Sequence, residues 1–122
     1  MEKLLIYGLP GTLVVLLVLY GSIGWSIGSG VKKISVKASS EYPGDKITAL
    51  IAFVSSEKHS FQDRNMAVWA LGQFGDKRAL PVLEKYYTGQ PCDHSKYLCQ
   101  RELKKAIKLL RGGKNLTAWM WR

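Results

Sequence analysis

The chain has 122 residues, one domain's worth of sequence at most. Its two cysteines are too few for a disulfide-built scaffold. Its formal net charge of +9 marks it for anionic partners: lipid headgroups, nucleic acid or acidic protein surfaces.

The charge is unevenly placed. From Leu4 to Val31 there is no charged residue, and every charge except Glu2 and Lys3 lies at or after Lys32. Residues 4–27 exceed the roughly 20 apolar residues that a helix needs to cross a bilayer. The heart of this run, residues 13–19, is purely aliphatic. Tyr7 flanks it on one side, with Tyr20 and Trp25 on the other, where amphipathic rings favour the membrane interface. A cleaved signal peptide fits less well: the basic start is weak, the apolar run is long, and no Ala-x-Ala site follows. Lys32, Lys33 and Lys37 follow the span and Lys3 alone precedes it. The positive-inside rule then puts the N-terminus outside and the C-terminal domain in the cytoplasm. Gly21, Gly24 and Gly28 recur at helical spacing, and the last two form a small-xxx-small pair suited to packing against another membrane helix.

Residues 1–30 are therefore expected to form a transmembrane anchor. Residues 31–44 mix Val31, Ile34 and Val36 with Ser-Ser and Pro-Gly breakers and are expected to form a juxtamembrane linker. Beyond it the pattern turns helical. Asp45 can cap a helix whose Ile47, Leu50, Ile51 and Val54 make an apolar face. After a polar break, a second helix is expected over 61–74, ended by Gly75. A third runs from about Lys77 to Tyr87 behind Asp76, and a fourth from about Ser95 to Arg111, stopped by Gly112-Gly113. The second pair echoes the first: Asp76 answers Asp45, and Arg101 answers Arg64. Offsets of this size match helical-repeat units.

Residues 63–83 carry the sharpest pattern: Arg64 early in a helix, Ala70-Leu71-Gly72 near its end, Gly75-Asp76 at the turn, and Ala79-Leu80-Pro81-x-Leu83 opening the next helix. This resembles the short bacterial HEAT-like repeat also found in phycobilisome lyases, strongly over about 20 residues and loosely over 45–113. With the apolar run, the resemblance gives an expected all-α fold: one transmembrane helix followed by a short α-solenoid of two HEAT-like helix pairs over 45–113. It implies a binding scaffold, and no lyase residue transfers with it. Two pairs fall below the usual minimum for a free-standing array, so an exposed face and a covering partner are expected.

The fourth helix divides into two faces. Cys99, Leu103, Ala106, Ile107 and Leu110 form an apolar stripe, and Arg101, Lys104, Lys105, Lys108 and Arg111 form a cationic one. Residues 114–122 make a basic tail in which Trp119 and Trp121 suit a membrane interface or a pocket on a partner. Cys92, His94 and Cys99 match no standard zinc spacing, so structural roles are the expectation and no metal or cofactor is assigned. No catalytic constellation can be read, and no nucleic-acid motif. The sequence thus points to a single-pass membrane adaptor or accessory subunit, with other subunits of a membrane complex as partners. A peripheral regulator binding anionic lipid is the alternative, and a lyase-like enzyme rests on fold analogy alone.

Overall fold

A computed structural model describes residues 2–122 and all their side chains except those of Glu2, Leu4 and Leu5; Met1, in the expected anchor, lies outside the described residues. Five α-helices follow in order: α1 (Glu2–Glu41), α2 (Lys46–Ser55), α3 (Phe61–Phe74), α4 (Leu80–Tyr86) and α5 (Gln100–Leu110). Short 3-10 turns occur at Lys77–Ala79 and Ala118–Met120. Among the described residues there is no strand, so the all-α expectation holds.

The first helix is the largest departure from the sequence reading. At 40 residues it runs about 60 Å without a break, so residues 31–41 of the expected linker are helical. Val31, Ile34 and Ala38 recur at helical spacing and are buried in the core, with Ile27 half-buried beside them. Of the side chains that read as a short extended piece, Val31 and Ile34 belong to one apolar stripe of a helix packed on α2 and α3, while Val36 faces outward. Only the breaker Pro43-Gly44 ends it, with Gly44 at φ 99°. The N-terminal part of α1 is bare: Leu13 to Leu19 are each more than half exposed. By length and composition α1 is long and apolar enough to cross a membrane.

The Asp45 cap and the Gly75 stop act as read, and Ser60 adds a cap that the sequence reading lacks. Asp45 accepts the Thr48 backbone N–H (2.8 Å), and Ser60 accepts that of Asp63 (3.2 Å). Gly75, at φ 68°, closes α3 in the left-handed conformation that a glycine adopts without strain. The third helix is shorter than expected. Asp76 caps a single 3-10 turn, accepting the Arg78 N–H, and α4 proper begins only at Leu80 with Pro81 in its first turn. The fourth starts at Gln100, not near Ser95. Asp93 takes the Ser95 N–H with its carboxylate, while its carbonyl accepts from Lys96 and Tyr97, which winds 93–97 into a turn.

Contacts fix how the helices run. Arg64, in the first turn of α3, donates from Nε to the Val54 carbonyl at the end of α2 (2.7 Å), so these two are antiparallel. At the first turn of α3, Lys37 of α1 pairs with Asp63 (2.8 Å), while Trp69, further along α3, reaches Gly30. Hence α3 returns toward the apolar end of α1. Cys99 donates its N–H to Asn65 (2.9 Å), and Ala106 lies against Gly72, so α5 runs parallel to α3. The core is continuous, from Val31 and Ile34 through Leu50, Phe53, Leu71 and Leu83 to Leu103 and Leu110. The apolar face expected to await a partner is covered in part by α1 itself.

Candidate partner-binding surface

The cationic stripe exists. Leu103, Ala106, Ile107 and Leu110 are buried against α3 and α4, which leaves Arg101, Lys104, Lys105, Lys108 and Arg111 exposed on the opposite face. Lys105 meets Glu102 (3.2 Å) and Arg111 meets Glu84. Among the described residues no carboxylate pairs with Arg101, Lys104 or Lys108. These three lie at i, i+3 and i+7, so their unneutralised charges form one row along the helix.

The echo between Arg64 and Arg101 does not survive. Arg64 is buried, with its guanidinium 5.6 Å from the Phe61 and Tyr86 rings, whereas Arg101 faces solvent. Gln100, one residue earlier, does the work of Arg64. Its Nε2 donates to the Tyr86 carbonyl (3.1 Å) at the end of α4, as Arg64 donates to the end of α2. Its Oε1 accepts the N–H groups of Thr88 (2.7 Å) and Gly89 (3.2 Å). The two Asp caps are linked: Arg78 reaches Asp76 (2.9 Å) and Asp45 (2.8 Å). The Thr48 N–H, then the Arg78 guanidinium, hold the Asp45 carboxyl down at about 2.

The tail is docked, not free. After Gly112-Gly113 it folds back on α1. Met120 lies over Gly24, Trp121 lies over Gly28 and packs edge-on against Phe74 (5.9 Å), and Arg122 donates to the Gln73 carbonyl (2.7 Å). The glycine pair expected to meet another membrane helix therefore accepts the chain's own tail. Gly21 has nothing against it. The two tryptophans part company: Trp121 is half-buried, while Trp119 is 76% exposed, donating to the Tyr20 hydroxyl (3.0 Å). Tyr20 in turn donates to the Leu116 carbonyl. Tyr20, Trp25, Leu116 and Trp119 thus gather where the bare part of α1 meets the domain.

Cys92, His94 and Cys99 come together as sequence spacing alone did not show. Their ligand atoms lie within 4.8 Å of one another, and the two sulfurs are 3.2 Å apart. The Arg101 backbone N–H donates to the Cys92 sulfur (3.3 Å), which with the neighbouring Cys99 thiol draws the Cys92 thiol below its ordinary range.

No curated protein and no solved structure matches the chain. Residues 63–88 match the family model of the PBS lyase HEAT-like repeat. In the structure this stretch is α3, the Gly75-Asp76 turn, α4 and the two residues that follow. Its motif residues are structural: Gly72 admits α5, Gly75 and Asp76 end one helix and cap the next, and Leu83 is buried. HEAT-like repeats serve in general as protein-interaction scaffolds, and through α3 and α4 this chain carries one of the PBS lyase type.

Proposed function

We propose that the protein is a membrane-anchored adaptor, an accessory subunit that binds other subunits of a membrane complex and acts by binding, not by catalysis. The observation that carries this reading is the unbroken α1. The same helix that is long and apolar enough to span a bilayer becomes a core helix of the repeat domain. A binding surface built this way is held at a fixed height and orientation, and the row Arg101, Lys104 and Lys108 offers acidic side chains an unneutralised target. Removal of the apolar helix as a signal peptide is disfavoured because Gly24, Gly28 and Val31 hold the tail and the core. Tyr20, Trp25 and Trp119 lie at the level expected of an interfacial belt. The lysines after the span favour a cytoplasmic domain.

The test is recovery of co-purifying chains from a mild detergent extract, using the wild type and the triple variant Lys104→Glu, Lys105→Glu, Lys108→Glu. Specific chains recovered with the wild type, and lost with the variant mainly at low salt, support the adaptor. Equal recovery with both removes the cationic face from the reading. For orientation, Lys104→Cys in a Cys92→Ser background is treated with a membrane-impermeant thiol reagent. Labelling only after lysis agrees with a cytoplasmic domain, and labelling of intact cells reverses it.

A lipid-binding role has one observation in its favour. A groove of about 900 Å³ runs between α1 and the tail, lined by Gly24, Trp25, Lys32, Lys46 and Trp121 among others. The Trp121 indole N–H is buried there without a partner among the described residues. Binding of the purified protein's domain face to anionic but not neutral vesicles, with no protein recovered from extract, would favour this second reading.

A further inference from the structure

We propose that Cys92, His94 and Cys99 form a site for one zinc-class divalent ion, which clips the 87–99 segment to the start of α5. Three donors of the type zinc selects converge from a loop and a helix start: two sulfurs and one imidazole. A tetrahedral zinc, with Zn–S of about 2.3 Å and Zn–N of about 2.0 Å, sets its ligand atoms roughly 3.5–3.8 Å apart. The sulfurs stand at 3.2 Å and all three ligand atoms within 4.8 Å. The fit thus needs changes in these separations of about 0.5 to 1.3 Å, through side chains of which two are exposed. A disulfide at about 2.05 Å would need a closure of similar size but would leave His94 unused.

The surroundings are built to hold this arrangement. Residues 87–99 contain no regular helix, yet Gln100 takes the N–H groups of Thr88 and Gly89, and Asp93 winds the turn that carries His94. Asn65 fixes the Cys99 backbone. The Arg101 N–H already points at the Cys92 sulfur, as a supporting donor to a metal-bound thiolate does. Two thiolates balance the ion's charge, each thiol giving its proton to solvent, and the imidazole binds as the neutral base. Nearby oxygens are engaged elsewhere: Asp93 with Ser95, Asn65 with Cys99, and Glu102 with Lys105. The fourth position therefore opens on the groove of about 870 Å³ lined by Gln62, Met66 and Trp69 among others, where water can complete the shell.

The experiment is a cobalt(II) titration of the full-length protein, purified in mild detergent and reduced with a non-chelating phosphine. One ion per chain, with thiolate-to-cobalt charge-transfer absorption and the visible bands of tetrahedral cobalt, is expected, and zinc should displace it. His94 is exposed, so His94→Ala should fold and lower affinity by at least the roughly 10–100-fold that loss of a mere supporting partner costs. Cys92→Ser, equally exposed, should remove much of the charge-transfer intensity. Absence of that absorption in the wild type overturns the proposal, as does a His94→Ala titration identical to it. So does thiol counting on protein taken rapidly from cells into acid that finds Cys92 and Cys99 bonded to each other.

Discussion

Arg64 shows how much one side chain holds. It is buried, donates to the Val54 carbonyl at the end of α2, and lies 5.6 Å from both the Phe61 and Tyr86 rings. Arg64→Met keeps much of the stem but leaves the Val54 carbonyl without its donor, a loss of about 1–3 kcal/mol. Thermal unfolding of the full chain in detergent should show a lower Tm for Arg64→Met and little change for Arg101→Met, on the solvent face. Equal effects would mean that the burial difference does not govern stability. The glycines of α1 offer a second contrast. A Cβ at Gly24 meets the Met120 methyl end, which can swing aside, whereas at Gly28 it meets Trp121 Cβ at 2.7 Å, close to the tail backbone. Gly28→Ala should therefore release the tail, seen as a red shift of tryptophan emission, and Gly24→Ala should not. The place of Arg64, early in its helix, was legible in the repeat pattern. That of Gln100 was not, because Arg101 matched by residue type and only a difference of one position separates a buried residue from an exposed one.

Between elements, the closest approach is that of α3 and α5. A Cβ on Gly72 would sit 2.8 Å from the Ala106 backbone, so Gly72→Ala must push two helices apart. Overpacking of this kind costs about 1–3 kcal/mol, and a Tm equal to wild type would show that the helices separate freely. The paired caps give a pH signature. The Asp45 carboxyl lies at about 2 against an ordinary 3.8, and that of Asp76 is lowered too, by its hydrogen bonds to Arg78. Because the folded values are depressed, the stabilisation is complete above the unfolded value near 3.8 and is lost as pH falls toward 2. Melting temperatures should thus drop across that window, and Asp45→Asn should flatten part of the fall. An unaltered slope would assign the loss to other carboxylates. The starts and stops of α2 and α3 could be read because each is set by a local hydrogen bond or a glycine. The start of α5 could not, since it depends on Asn65 and Asp93 binding backbone groups that a longer helix would have used.

At the scale of the whole molecule, the decisive feature is that the long apolar segment and the repeat domain share one helix. The sequence held the sign of it: Ile27, Val31, Ile34 and Ala38 lie at helical spacing across what reads as a linker. The competing cue was stronger, since β-branched residues beside Ser-Ser and Pro-Gly are common in extended connections. The docking of the tail had no local cue at all, because Gly24 and Gly28 accept any flat partner, and Met120 and Trp121 are about 90 residues away in the chain. The shared helix predicts where the chain can be cut. Burial of Val31 and Ile34 is worth about 3–6 kcal/mol together, at roughly 1.5–3 kcal/mol for each side chain. A domain of about 90 residues has a total stability of only about 5–14 kcal/mol. A fragment beginning at Glu41 loses both side chains and Ala38, and should show reduced helicity and no cooperative melt. One beginning at Tyr20 keeps the stripe and the tail contacts at Gly24 and Gly28, and should melt cooperatively. Circular dichroism of the two in the same mild detergent decides the matter. If the shorter fragment melts as sharply as the longer one, α1 is an appendage to the repeat domain and does not belong to its core.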